Sequence, residues 1–292
     1  MSTAVATTRT RRIDLPLVAF FALATGIAWS AFAAVGWLAG APNLVETQAA
    51  FANAESGDPG SQVSAPTWAL YLLTRLGDFA FSIAGVVMIA ATAGAAGLRQ
   101  LGRRLVQPIG RRWYAVGLLP VFLYLLAAAA AGALPSVQLS PSTITTALFS
   151  VQAGLLVSLL LRGALGEELG LRGFALPRMQ QTMSPLRASL IIGALWGAWH
   201  LPVLIGRPAL TVIAVLLVAL SASVLSTWMF NGSGGSLIPV LLFHATTNWE
   251  EGIETFFPAL AGAEWEAPAV LGLLIAGVAA AVALRRNPHA AH

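Results

Sequence analysis

Apolar runs of about 18 residues or more recur along this chain, and segments of that length are read as membrane-crossing helices. They cover approximately Leu15–Ala39, Phe79–Gly97, Trp113–Leu134, Ala188–Ile205, Ala209–Phe230, Leu237–Phe257 and Ala267–Leu284, with a further one starting near Ile144. Inside a bilayer the backbone has no water to bond with, so such segments must satisfy their own N–H and C=O groups as helices. The expected fold is therefore all-α: a polytopic transmembrane helical bundle of about eight spans, forming a single integral membrane domain over residues 1–292. Composition agrees, with 57% hydrophobic and 10% charged residues, against roughly 25% charged in soluble domains.

The charges that remain are distributed in a topogenic pattern. Every one of the 16 basic residues is arginine. Arg9–Arg12, the loop Arg99–Arg112, the loop Arg178–Arg187 and the tail Arg285–Arg286 fall on one side of an eight-span bundle, whereas Glu46, Glu55, Asp58, Glu264 and Glu266 fall on the other. Arg207 is the exception. Positive residues stay cytoplasmic, so both termini are expected in the cytoplasm of a multi-pass protein of the inner (plasma) membrane. The first apolar run exceeds the 7–15 residues of a signal peptide's core and reads as a retained span. The arginines thus answer to the lipid bilayer, and no nucleic-acid partner is expected. With no cysteine, thiol nucleophiles, disulfides and Cys-ligated metals are excluded.

One span ends in charge. After the apolar stretch 147–161 come Gly166-Glu167-Glu168-Leu169-Gly170-Leu171-Arg172-Gly173. A charge within the membrane is costly, and by default marks a functional position. Glu168 and Arg172 are four apart on one helix face, in the better orientation for an ion pair. Glu167 lies about 100° round the helix, which leaves it for chemistry. A solvated helix end carrying a routine salt bridge is the alternative. Arg75 and Asp78, three apart, are expected to pair at the membrane interface.

Other polar groups reach the same depth. Glu167 stands 11 residues before Arg178, or roughly 16 Å of helix. His200 follows Arg187 by 13 residues, roughly 20 Å. His244 and Asn248 follow Ser236 by 8 and 12 residues, roughly 12 and 18 Å. His244 and Asn248 share a helix face, so the four residues are expected to line one cavity, open towards the cytoplasm. A glutamate beside a histidine can activate water as a general base, and an amide or imidazole N–H can receive an oxyanion. Two histidines and a carboxylate could instead hold zinc, but no His-Glu-x-x-His helix is present. A proton- or ion-coupled transporter would use the same residue types as a relay. It would often carry inverted repeats, whereas these residues all lie in the second half of the chain.

The three elements resemble the motifs of the CPBP intramembrane proteases, which include the type II CAAX prenyl endopeptidases and bacterial abortive-infection and immunity proteins. Glu167-Glu168…Arg172 matches Glu-Glu-x-x-x-Arg, and His244…Asn248 matches His-x-x-x-Asn. The middle motif, Phe-x-x-x-His, departs: Trp196 stands four residues before His200. The resemblance covers about 144–255, the expected catalytic core helices. It implies a metal-independent glutamate endopeptidase without a cofactor, acting on a membrane-associated peptide or protein. Glu167 and His200 would activate water, His244 and Asn248 would form the oxyanion hole, and Glu168, Arg172 and Trp196 would support them. A non-catalytic immunity or binding protein would keep the same pocket.

Overall fold

A computed structural model describes residues 14–38, 67–130, 152, 154–161, 163–248 and 266–286. Among these residues all regular structure is helical. The helices are α1 (Leu15–Leu38), α2 (Thr67–Asp78), α3 (Ala80–Val106), α4 (Arg111–Gly117), α5 (Leu119–Ala130), α6 (154–161), α7 (Ala164–Gly170), α8 (Leu176–Met179), α9 (Pro185–Trp199), α10 (Leu201–Leu204), α11 (Ala209–Gly232), α12 (Ile238–Thr247) and α13 (Glu266–Arg286). A π-helical turn, Leu171–Ala175, joins α7 to α8.

The protein is a multi-pass membrane bundle, but its spans are less uniform than the apolar runs imply. Leu15–Leu38, Ala80–Val106, Ala209–Gly232 and Ala269–Arg286 are long and apolar enough to cross a bilayer. The other expected spans are interrupted or only partly described. The third is divided between α4 and α5, the fourth bends at Gly163, and the fifth breaks at His200. In the seventh, α12 stops at Thr247 and the remainder lies outside the described residues, as do Arg162, Glu250, Glu251 and Glu254. The Arg99–Arg112 segment is not a simple loop either. α3 continues through Arg99, Arg103 and Arg104 to Val106, past a non-helical Gly94 at φ 58°.

The arginine-rich ends are tied together. Arg178 Nε donates to both carboxylate oxygens of Asp14, at 2.9 and 2.8 Å. Arg104 Nη1 donates to the Gly173 carbonyl at 3.0 Å, and the Leu237 N–H to the Arg104 carbonyl at 2.9 Å. Gln107 Nε2 reaches the Gly234 carbonyl at 3.2 Å. The start of α1, the ends of α3, α8 and α11 and the approach to α12 thus meet at one end. Arg75 and Asp78 pair at 3.2 Å where α2 meets α3.

Small residues let the helices close on one another, the usual packing route in a membrane. In α1 the buried residues Phe20, Ala24, Ala28, Ala31, Phe32 and Val35 repeat at helical spacing. Between α9 and α11, Ser223 Oγ donates to the Ser189 carbonyl at 2.8 Å. Phe20, Phe81 and Trp199 join the aromatic packing that seats α1 and α3 beneath the end of α9.

Candidate active site

The carboxylate pair is placed by the face of α7 opposite to it. Gly166 and Gly170 are four residues apart, the small-xxx-small spacing that lets helix backbones touch. A Cβ on Gly85 of α3 would come 2.6 Å from the Gly170 Cα, and a Cβ on Gly166 would come 3.2 Å from the Phe79 Cα. The backbones are therefore in direct contact. Ser82 Oγ adds a hydrogen bond to the Leu165 carbonyl at 2.7 Å. With that face buried on the α2–α3 junction, Glu167 and Glu168 turn towards α9 and α12.

The start of α7 is equally constrained. Gly163 has φ +91°, a left-handed conformation that glycine adopts without steric cost. Its carbonyl accepts the Glu167 N–H at 2.8 Å. A Cβ there would sit 2.6 Å from Glu167 Oε1 and 3.5 Å from Asn248 Nδ2. Gly163 thus leaves room for one oxygen of Glu167 on the side where Asn248 lies.

The two glutamates have different partners. Glu168 Oε1 accepts from Arg172 Nη1 at 3.0 Å and from His244 Nδ1 at 2.8 Å. Glu168 and Arg172 are fully buried. Arg172 stands in the π-helical turn, a local unwinding frequent at functional sites, and its guanidinium lies 5.4 Å from the centre of the Trp196 ring. Among the described residues, Arg172 Nε and Nη2 and Glu168 Oε2 make no hydrogen bond. Glu167 Oε2 instead accepts the indole N–H of Trp196.

Both histidines are oriented through Nδ1. His200 Nδ1 lies 2.9 Å from the Trp196 carbonyl; a carbonyl only accepts, so Nδ1 carries the proton and Nε2 the lone pair. His244 Nδ1 likewise donates to the Glu168 carboxylate. His200 terminates α9, and Pro202, in the first turn of α10, supplies no N–H to continue the α9 ladder. Asn248 terminates α12, its N–H bonded to the His244 carbonyl at 3.1 Å.

A cavity of about 110 Å³ is lined by Glu168, Trp196, His200, His244, Thr247 and Asn248, among others. Three of the four residues expected there share it. Glu167 does not line it; it stands next to it, bonded to Trp196, which does. Through Val215, Val218 and Thr247 the space borders an apolar cavity of about 280 Å³ between α5, α11 and α13. That larger cavity reaches Thr211 and Ala269, near the starts of α11 and α13. It therefore extends away from the arginine-rich end, opposite to the cytoplasmic opening expected from depth. Among the described residues, no three His, Asp or Glu side chains gather where they could hold a metal ion. Sequence reasoning did not single out Gly163 or the Gly166–Gly170 face. The four-residue glycine spacing was the available signal for the latter.

Residues 149–249, which contain all these motif positions, match the family model described as Rce1-like, type II CAAX prenyl endopeptidase. Over 100 residues, 31% of this chain, the sequence is 30% identical to CAAX prenyl protease 2 of Methanococcus maripaludis. The chain spans 37% of that protein's length.

Proposed function

We propose that the chain, with a CPBP-type segment at residues 149–249, is an intramembrane endopeptidase that hydrolyses a peptide bond using water activated by Glu167 and His200. The observation that carries this reading is the shared cavity of His200, His244 and Asn248, with Glu167 held at its edge. The His200 Nε2 lone pair and the Glu167 carboxylate supply the proton acceptors. The water's oxygen attacks the scissile carbonyl carbon, and the proton it releases is held by the base before passing to the departing amine. The carbonyl oxygen becomes an oxyanion, which Asn248 Nδ2 can receive as a donor. His244 donates from Nε2 when both ring nitrogens carry protons, with Glu168 beside it as the counter-charge. This matches the orienting role of a buried carboxylate behind a catalytic histidine.

The substrate is a membrane-associated peptide or protein. The arginine-rich end faces the cytoplasm, which puts both termini there in the inner membrane. The test compares membranes containing the wild-type protein with membranes containing Glu167→Ala, by mass spectrometry of newly formed peptide termini. A set of termini present only with the wild type is expected. Identical termini from both, at equal protein levels, would overturn the protease reading.

A further inference from the structure

Trp196 lies against four polar members of the site. Its indole N–H donates to Glu167 Oε2, its carbonyl accepts from His200 Nδ1, and its ring lies 5.4 Å from both the His244 ring centre and the Arg172 guanidinium. The phenylalanine usual at this point of the family motif has no N–H to offer. The two oxygens of Glu167 are consequently inequivalent. Oε2 is occupied by the indole, whereas Oε1 faces Gly163, on the side where Asn248 lies.

We propose that Trp196 is a positioning residue for the general base: its indole N–H engages Oε2 and leaves Oε1 as the oxygen that takes the proton from water. The proposal rests on the protease reading above. A carboxylate tethered at one oxygen loses torsional freedom about its last bond, so the other oxygen is held in place before substrate arrives. Pre-set geometry of this kind is a large source of rate in a catalytic site. The ring also explains why Glu167 stands beside the cavity and not on its wall: Trp196 occupies that part of the wall and reaches Glu167 from it.

The bond itself can be read without activity. In the full-length protein in detergent micelles, labelled with ¹⁵N-tryptophan, the indole resonance lost in Trp196→Phe identifies Trp196. That resonance is expected to move in Glu167→Gln and to hold its position in Asp14→Asn, whose side chain pairs with Arg178 at the arginine-rich end. Catalysis is then measured on a library of quenched-fluorescent peptides reconstituted with the protein in lipid vesicles. Trp196→Phe keeps an aromatic ring, and replacement of Trp196 by benzothienylalanine keeps the bicyclic shape while removing only the N–H.

Both variants should lose kcat by roughly 10- to 100-fold, the effect of a hydrogen bond to a charged group, with KM and thermal stability little changed. Normal kcat in the benzothienylalanine protein would overturn the proposal. So would an indole resonance indifferent to Glu167→Gln. If the wild type cleaves nothing, the protease reading falls and the catalytic role falls with it, even where the resonance shows the indole–carboxylate bond.

Discussion

Two adjacent glutamates in one helical turn have different partners, and the proposed division of roles follows from them. Glu168 lies between the Arg172 guanidinium and the His244 imidazole, fully buried, while Glu167 meets an uncharged indole. Glu167→Gln should therefore leave the protein folded and lower cleavage by about 10²–10⁴-fold, the usual contribution of a general base. Glu168→Gln strands Arg172 without its carboxylate and should cost about 3–5 kcal/mol, read as a fall in thermal midpoint. Replacing Glu168 and Arg172 together by neutral residues should restore part of that stability. A well-folded but inactive Glu168→Gln, beside an active Glu167→Gln, would reverse the two roles. Gly163→Ala is a third case. Left-handed backbone at a non-glycine residue costs about 1–3 kcal/mol, and the added methyl would press on Glu167 Oε1. Activity per folded molecule should fall further than stability does. Equal losses in both would mean that Gly163 serves the fold alone.

At the scale of helices, the site is made where helices stop. Glu167 lies in the first turn of α7, His200 caps the end of α9, and Asn248 caps the end of α12. Broken backbone within a membrane protein is tolerated where it is buried or lines a cavity. Hydrophobic length made the apolar runs legible in the sequence, but it reads through these interruptions, since a break leaves the local hydropathy unchanged. Pro202, two residues beyond His200, stands at one of them, yet Ala188–Ile205 reads as a single span. The Glu168–Arg172 pair was legible because helix geometry alone brings residues four apart together. The bonds Glu168–His244 and Glu167–Trp196 were not, because they join residues 76 and 29 apart and depend on how whole helices pack. That packing can be tested at Gly85. A methyl there would meet the Gly170 backbone, so Gly85→Ala should destabilise by about 1–3 kcal/mol and shift the carboxylates. Gly102→Ala on the same helix, where an added Cβ meets nothing within 4 Å, should be neutral or slightly stabilising. Equal behaviour of the two variants would contradict the close α3–α7 contact.

The molecule as a whole has two unlike ends. One is fastened by Asp14–Arg178, Arg104–Gly173 and Gln107–Gly234, and the proposed orientation, with this end in the cytoplasm, follows from the arginine distribution. Reporter domains fused after Arg112 and after Arg286 should both report cytoplasm, and a reporter inserted near Asp58 should report the exterior. A periplasmic signal from either arginine-rich position would invert or break the topology. The bundle's two sides also differ. With α7 seated backbone to backbone on α3, the carboxylates cannot retreat without pulling two helices apart. The space that could widen lies opposite, where α5, α11 and α13 surround an apolar void. A peptide strand entering this protein would thus meet an anvil on one side and a yielding wall on the other, so the speed of admission would be set by helices that carry none of the reacting groups.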